Sequence, residues 1–217
     1  MGKGDTKSAA DATTDAIPEL ALTHGQTIWL MTELGLHQGA SRTTFNYYIK
    51  SLRKLGIPFD KGKGQSQGHR HVTYDFEDLM ELTVALLLRV YGTLPDSVLA
   101  GLRNFRSELR PVYRLAYCDC AKTTFPPAQV EAGQRRLSVN GVFLDLNIRY
   151  SAGRMIAFGP PRVLSAFEAI ATFARAGIPA RSYLPLNITA VADMIVLHTR
   201  TLPSARRPRG TQPVHLS

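Results

Sequence analysis

The sequence predicts a mainly α fold with small β elements, in which a helical N-terminal domain precedes a small α+β C-terminal unit. Three neighbouring stretches predict it. Ser41 to Leu55 has apolar residues at helical spacing, residues 60–70 form a basic, glycine-rich ribbon with nothing to bury, and residues 75–88 open a strongly apolar helix.

Residues 1–17 are Gly, Ala, Ser, Thr, Asp and Lys with almost no apolar content, the composition of a disordered tail. The N-terminal domain is expected over residues 18–110. Thr23 and Gln26 stand at capping-box spacing, Ile28, Leu30, Met31 and Leu34 supply apolar contact, and Gly35 ends this first helix. The connection from Gly35 to Ala40 is a few residues longer than the tightest helix-turn-helix link.

Ser41 can cap the second helix, and Phe45, Tyr48, Ile49, Leu52 and Leu55 recur on one face. The opposite face carries Arg42, Thr43, Asn46, Tyr47, Lys50, Arg53 and Lys54, a mixture of phosphate-binding charges and side chains able to bond base edges. Gly56 and Pro58 close the helix. The ribbon after Phe59 contributes Lys61, Lys63 and Arg70, and a strand from His71 to Tyr74 closes it. Thr73 or Asp75 can cap the next helix, in which Leu79, Met80, Leu82, Val84, Leu86, Leu87 and Leu88 read as core. Helix, turn, helix, basic ribbon and acidic helix start, in that order, describe a winged helix-turn-helix.

A further helix is expected from Pro95-Asp96-Ser97, with Val98, Leu102, Phe105 and Leu109 on one face and Arg103, Arg106 and Arg110 on the other. Pro111 should interrupt or restart it, and residues 111–133 read as a linker with helical character ending in Thr123 to Pro127. The α+β unit spans residues 134–202. Leu137 to Ile148 alternates around Asn140-Gly141 as a hairpin would, and Ser151 to Gly153 reads as a second turn with Met155 to Phe158 returning. Pro160-Pro161 should start a helix bearing Val163, Leu164, Phe167, Ile170 and Phe173, ended by Gly177 and Pro179. Asn187 should cap a last helix with Ile188, Val191, Ile195 and His198. Residues 203–217 form a basic tail containing Arg206, Arg207 and Arg209.

Tyr47-Tyr48 and the stretch Gly68-His69-Arg70-His71-Val72-Thr73-Tyr74 resemble the MerR-type winged helix-turn-helix of bacterial transcription regulators, over roughly Leu22 to Leu109. The resemblance implies that Arg42, Thr43 and Tyr47 face the major groove and its phosphates, and that Arg70 reaches the backbone or minor groove. The chain departs from the pattern in five places, one being a helix that runs two or three residues longer before Gly56. Asn46 stands where the family usually has Arg, Ile49 where it has Glu, His69 replaces the wing aromatic, and Asp60 to Gln67 lengthens the wing. The family's dimerisation helix corresponds to a shorter, Pro-interrupted region here.

A formal net charge of +9 favours an anionic partner, but fits DNA, RNA or an anionic membrane alike; the motif selects double-stranded DNA. No apolar run approaches the ~20 residues of a membrane span, and Cys118 and Cys120 make no secreted disulfide framework, so the expected location is the bacterial cytoplasm and its nucleoid. His69, His71, Cys118 and Cys120 are ligand types without a structural-zinc spacing, and neither a metal nor a cofactor is expected. No nucleophile, phosphate-loop or metalloprotease motif is present, which argues against an enzyme. The C-terminal strands and helices show no convergent polar anchors for a small-molecule effector, so homodimerisation is the preferred role for that unit, with Val163, Phe167, Ile170, Val191 and Ile195 between subunits. The expected function is a sequence-specific DNA-binding regulator of bacterial transcription. The alternative is a DNA-architectural or accessory factor, in excision or in plasmid partition or replication, that uses the same winged helix.

Overall fold

The computed structural model describes residues 20–59, 72–90, 94–122, 142–146, 148–151, 154–175 and 185–204. It is mainly helical with small antiparallel sheets. Strand β1 (Leu22–Thr23) leads into α1 (His24–Glu33), and α2 (Arg42–Lys54) follows the turn. Strand β2 (Thr73–Tyr74) pairs antiparallel with β1, placing Leu22 opposite Tyr74, and runs into α3 (Phe76–Val90). A short α4 (Asp96–Leu99) and a 3-10 segment (Ala100–Phe105) precede the long α5 (Arg106–Lys122).

Local chemistry sets these boundaries. The Thr23 side chain accepts from the Gln26 N–H while Gln26 Oε1 accepts from the Thr23 N–H at 3.0 Å, the full capping box. Gly35 takes φ +74°, and Leu36 N–H donates to the Met31 carbonyl at 3.1 Å. Gly56 repeats the device on α2 with φ +87°, and Ile57 N–H donates to the Leu52 carbonyl at 3.0 Å. Of the two candidate caps for α3, Asp75 is the one used: its Oδ1 accepts from the Asp78 N–H at 2.8 Å.

Three expectations are corrected. Pro111 does not interrupt its helix; it lies exposed inside α5, where its missing N–H removes one intrahelical bond to the Ser107 carbonyl. Pro160-Pro161 does not start a helix. Arg162–Leu164 forms strand β6, and the following helix α6 (Ala166–Arg175) begins at Ser165, whose hydroxyl accepts from the Glu168 N–H while Glu168 accepts from the Ser165 N–H at 2.8 Å. Strand β3 (Phe143–Asp145) does not take its partner from across Asn140-Gly141 either, because both of its edges are occupied by strands from later in the chain. It sits between β6 and β7 (Leu186–Asn187), while β4 (Ile148–Ser151) and β5 (Arg154–Phe158) pair separately, as the second turn requires. The expected turn at Asn140-Gly141 and the helix end at Gly177 and Pro179 lie outside the described residues.

The final helix, α7 (Ile188–Thr199), is capped by Asn187, whose Oδ1 accepts from the Ala190 N–H at 2.9 Å. It packs on α5, α3 and α1, so Ile188, Ala192 and Ile195 share one hydrophobic core with Leu30, Leu82 and Tyr113. Ile195 is thereby fully buried within the chain, which removes it from the residues expected between subunits.

Three arginines of α5 turn inward onto acids of α3. Arg106 donates to Glu81 twice, Nε to Oε2 and Nη2 to Oε1, both at 2.7 Å, and its Nη2 also donates to the Gly56 carbonyl at 2.5 Å. Arg110 pairs with Glu77 and Asp78 at 3.3 Å, and Arg114 pairs with Glu77. Breaking a buried pair from one side strands the other charge at a cost of about 3–5 kcal/mol. Arg106→Met is expected to lose about that much in urea unfolding, and Arg106→Met with Glu81→Leu to recover most of it. A single-variant loss under about 1 kcal/mol would refute the assignment.

Burial pushes the Asp78 carboxyl up to about 7, with the neighbouring Asp75 charge adding to the rise and the Asp75 N–H and Arg110 opposing it. A raised folded-state value means that this group's contribution is complete below its ordinary value near 4 and is lost as pH rises through about 7. Between those limits the wild type should therefore lose stability relative to Asp78→Asn. Parallel pH profiles of unfolding midpoints for the two proteins would disprove it.

Candidate nucleic-acid interface

Helix α2 contains four cationic side chains and no acidic one. Its apolar side, Phe45, Ile49 and Leu52, is buried, with Tyr48 and Leu55 partly buried beside it. Arg89 from α3 lies 4.5 Å over the Tyr48 ring and donates to the Ser51 hydroxyl at 3.2 Å, which fixes the helix rotation. The Tyr47-Tyr48 pair is consequently split: Tyr48 packs inward and Tyr47 is 64% exposed.

Arg42, Thr43, Tyr47, Lys50 and Lys54 all stand exposed on the outer side of α2. Among the described residues no carboxylate pairs with Arg42, Lys50 or Lys54. Arg53 is half-buried, with its guanidinium 5.9 Å over the Phe59 ring. Phe59 in turn lies 4.9 Å from the Tyr74 ring. The expected wing residues Lys61, Lys63 and Arg70 lie outside the described residues.

Asn46 sits at the centre of the polar face, one turn from Arg42 and one from Lys50. It is half-buried, and its Oδ1 lies 3.0 Å from His24 Nε2. The other ring nitrogen, Nδ1, lies 3.2 Å from the Tyr74 hydroxyl. His24 and Tyr74 are absent from the sequence-based site. The available signal was a histidine directly after the Thr23 cap, which reads only as a first-turn residue until the turn folds α1 against α2.

Burial holds the His24 imidazole below its ordinary value; the hydrogen bond to Asn46 opposes this, and the Arg53 and Lys50 charges reinforce it. Burial likewise pushes the Tyr74 phenol up to about 12. The arginines of the Val98 helix contribute little to this face. Arg106 is buried against Glu81, and Arg103 is exposed and donates to the Leu55 carbonyl at 3.3 Å, holding the end of α2.

The outer face is therefore free of folding duties that its inner face carries. Arg42, Tyr47, Lys50 and Lys54 replaced singly by Ala should each change unfolding free energy by no more than about 0.5 kcal/mol, whereas Phe45→Ala should cost about 3–5 kcal/mol. Chemical denaturation separates the two sets; a large loss at any of the four outer positions would make that residue structural.

No family of proteins, curated protein or solved structure matches this chain. The MerR-type resemblance accordingly stands on Tyr47-Tyr48 and Gly68 to Tyr74 alone.

Proposed function

We propose that this chain is a sequence-specific double-stranded DNA-binding regulator of bacterial transcription, in which α1 and α2 form the helix-turn-helix. One observation carries the reading: the outward face of α2 presents Arg42, Lys50 and Lys54 without a carboxylate partner among the described residues, on a helix held rigidly by caps at both ends. A helix of this length spans a major groove. Its cations would displace counterions from phosphates, and its Thr43, Asn46 and Tyr47 side chains would meet base edges. Ser41 leaves the first turn of α2 free of acidic side chains, so the positive end of the helix dipole also faces the phosphates.

Two copies would be needed for a useful site size, and α6 supplies the surface. Phe167 and Ile170, one turn apart on α6, are 80% and 69% exposed, and Val163 on the preceding strand β6 is 46% exposed. Such a cluster of large apolar side chains is costly in water and suits a two-fold contact with the same cluster on another copy. Phe167→Glu is expected to leave a monomer in light scattering while the wild type dimerises; equal masses for the two proteins would remove α6 from the interface.

Binding to duplex DNA should fall steeply with salt, and each of Arg42→Ala, Lys50→Ala and Lys54→Ala should reduce the slope of log affinity against log salt by about one. Titration of a labelled genomic duplex over a salt series measures it. A flat response, or preference for single-stranded RNA, would overturn the reading.

A further inference from the structure

We propose that His24 is a positioning residue for Asn46, turning its amide so that position 46 offers hydrogen-bond donors outward and selects guanine in a bound duplex. This deepens the reading of α2 as a DNA-facing helix and rests on it.

The donors and acceptors around His24 leave one arrangement of protons. Asn46 Oδ1 can only accept, so His24 Nε2, 3.0 Å away, must carry the ring proton. His24 Nδ1 is then an acceptor, and the Tyr74 hydroxyl 3.2 Å from it must be the donor. Both requirements are met by one neutral tautomer. Burial favours that neutral form at His24 and keeps Tyr74 protonated as a donor. Tyr74 is completely buried, fixed by the pairing of β2 with β1, and His24 is fixed by the capping box at the start of α1. The orientation of the Asn46 amide is therefore set by two elements outside α2.

A planar amide whose oxygen is held toward the protein directs its nitrogen along the other branch. No described residue accepts from Asn46 Nδ2. Asparagine ordinarily reads adenine by accepting from N6 and donating to N7, which uses both ends of the amide. With Oδ1 turned toward His24 and one of its lone pairs taken, the branch that points outward is the donating one. The base edge that presents two acceptors and no donor is guanine, through O6 and N7. The opposite tautomer would reverse the result, because a bare Nε2 would draw Nδ2 inward and leave Oδ1 facing out. The hydrogen on one ring nitrogen thus decides which base edge fits.

Two measurements test it on the full chain. Nitrogen-15 spectra of the free protein near pH 7.5 are expected to show His24 protonated at Nε2 and bare at Nδ1; the reverse pattern overturns the proposal without reference to DNA. Selection from a random duplex pool is expected to give a motif in which one guanine depends on position 46, with Asn46→Ala losing it. His24→Ala should lose enrichment at that base by roughly tenfold while the rest of the motif persists. His24→Gln, whose amide can donate to Asn46 and accept from Tyr74, should restore it, which a merely structural role would not produce. A motif unchanged in His24→Ala, or adenine at that base, overturns the role of His24 and leaves DNA binding standing. Failure of the wild type to enrich any duplex overturns the DNA reading, and the base assignment with it.

Discussion

The fold depends on one buried arginine. Arg106 joins three helices at a single guanidinium: its own α5, α3 through Glu81, and the end of α2 through the Gly56 carbonyl. Each bond offsets a different cost. The carboxylate neutralises a charge in an apolar setting, and the guanidinium satisfies the carbonyl of buried Gly56 just past the end of α2. Because the Gly56 carbonyl becomes available only where the chain turns left-handed, the position of the glycine and the reach of the arginine fix each other. Arg103 supports the same corner by donating to the Leu55 carbonyl. The pose of α2 is thus held at its C-terminal end by α5, not only by the apolar contacts along its length.

That support explains how a helix whose outer cations have no carboxylate partner among the described residues stays in place. Like charges at Lys50, Arg53 and Lys54 repel one another, and nothing acidic on α2 relieves them. Placing Arg53 and Lys54 in the last turn, against the negative end of the helix dipole, offsets part of this. The remainder is carried by Phe45, Ile49 and Leu52 and by the Arg106 corner. The α3 acids Glu77, Asp78 and Glu81 are all engaged by α5, which keeps them away from the α2 cations and leaves that face uniformly positive. Segregation of charge, with acids inside the α3–α5 contact and bases outside on α2, is a single arrangement with two consequences.

Much of the helical framework was legible because its signals are local. Thr23 with Gln26, Ser41, Gly35, Gly56 and Asn187 act within a few residues of where they stand, so each cap and stop could be read from spacing alone. The apolar face of α2 was legible for the same reason. What could not be read depends on partners distant in the chain. Arg106 and Arg110 carry the same spacing whether they meet water, DNA or Glu81, and only the packing of α5 on α3 decides. Val163 and Leu164 continue the apolar period of α6, yet β3 offers them a strand to pair with, and Ser165 with Glu168 supplies a later helix start. Asn46 is half-buried, and its hydrogen-bond partner comes from the first turn of α1, which no periodicity reveals.

The C-terminal helix changes how the two halves relate. Ile188, Ala192 and Ile195 of α7 close the same core that Leu30 and Met31 of α1 begin, and Gln26 Nε2 donates to the Pro203 carbonyl at 3.1 Å just beyond α7. The residue making that long-range bond is the one whose other amide atom completes the α1 capping box. Gln26 therefore ties the end of the described C-terminal segment to the same turn that carries His24, and through His24 to Asn46 on α2. Any displacement of α7 must either break the Gln26 bond or move the start of α1. The geometry of the polar face of α2 is consequently set by residues far apart in the chain.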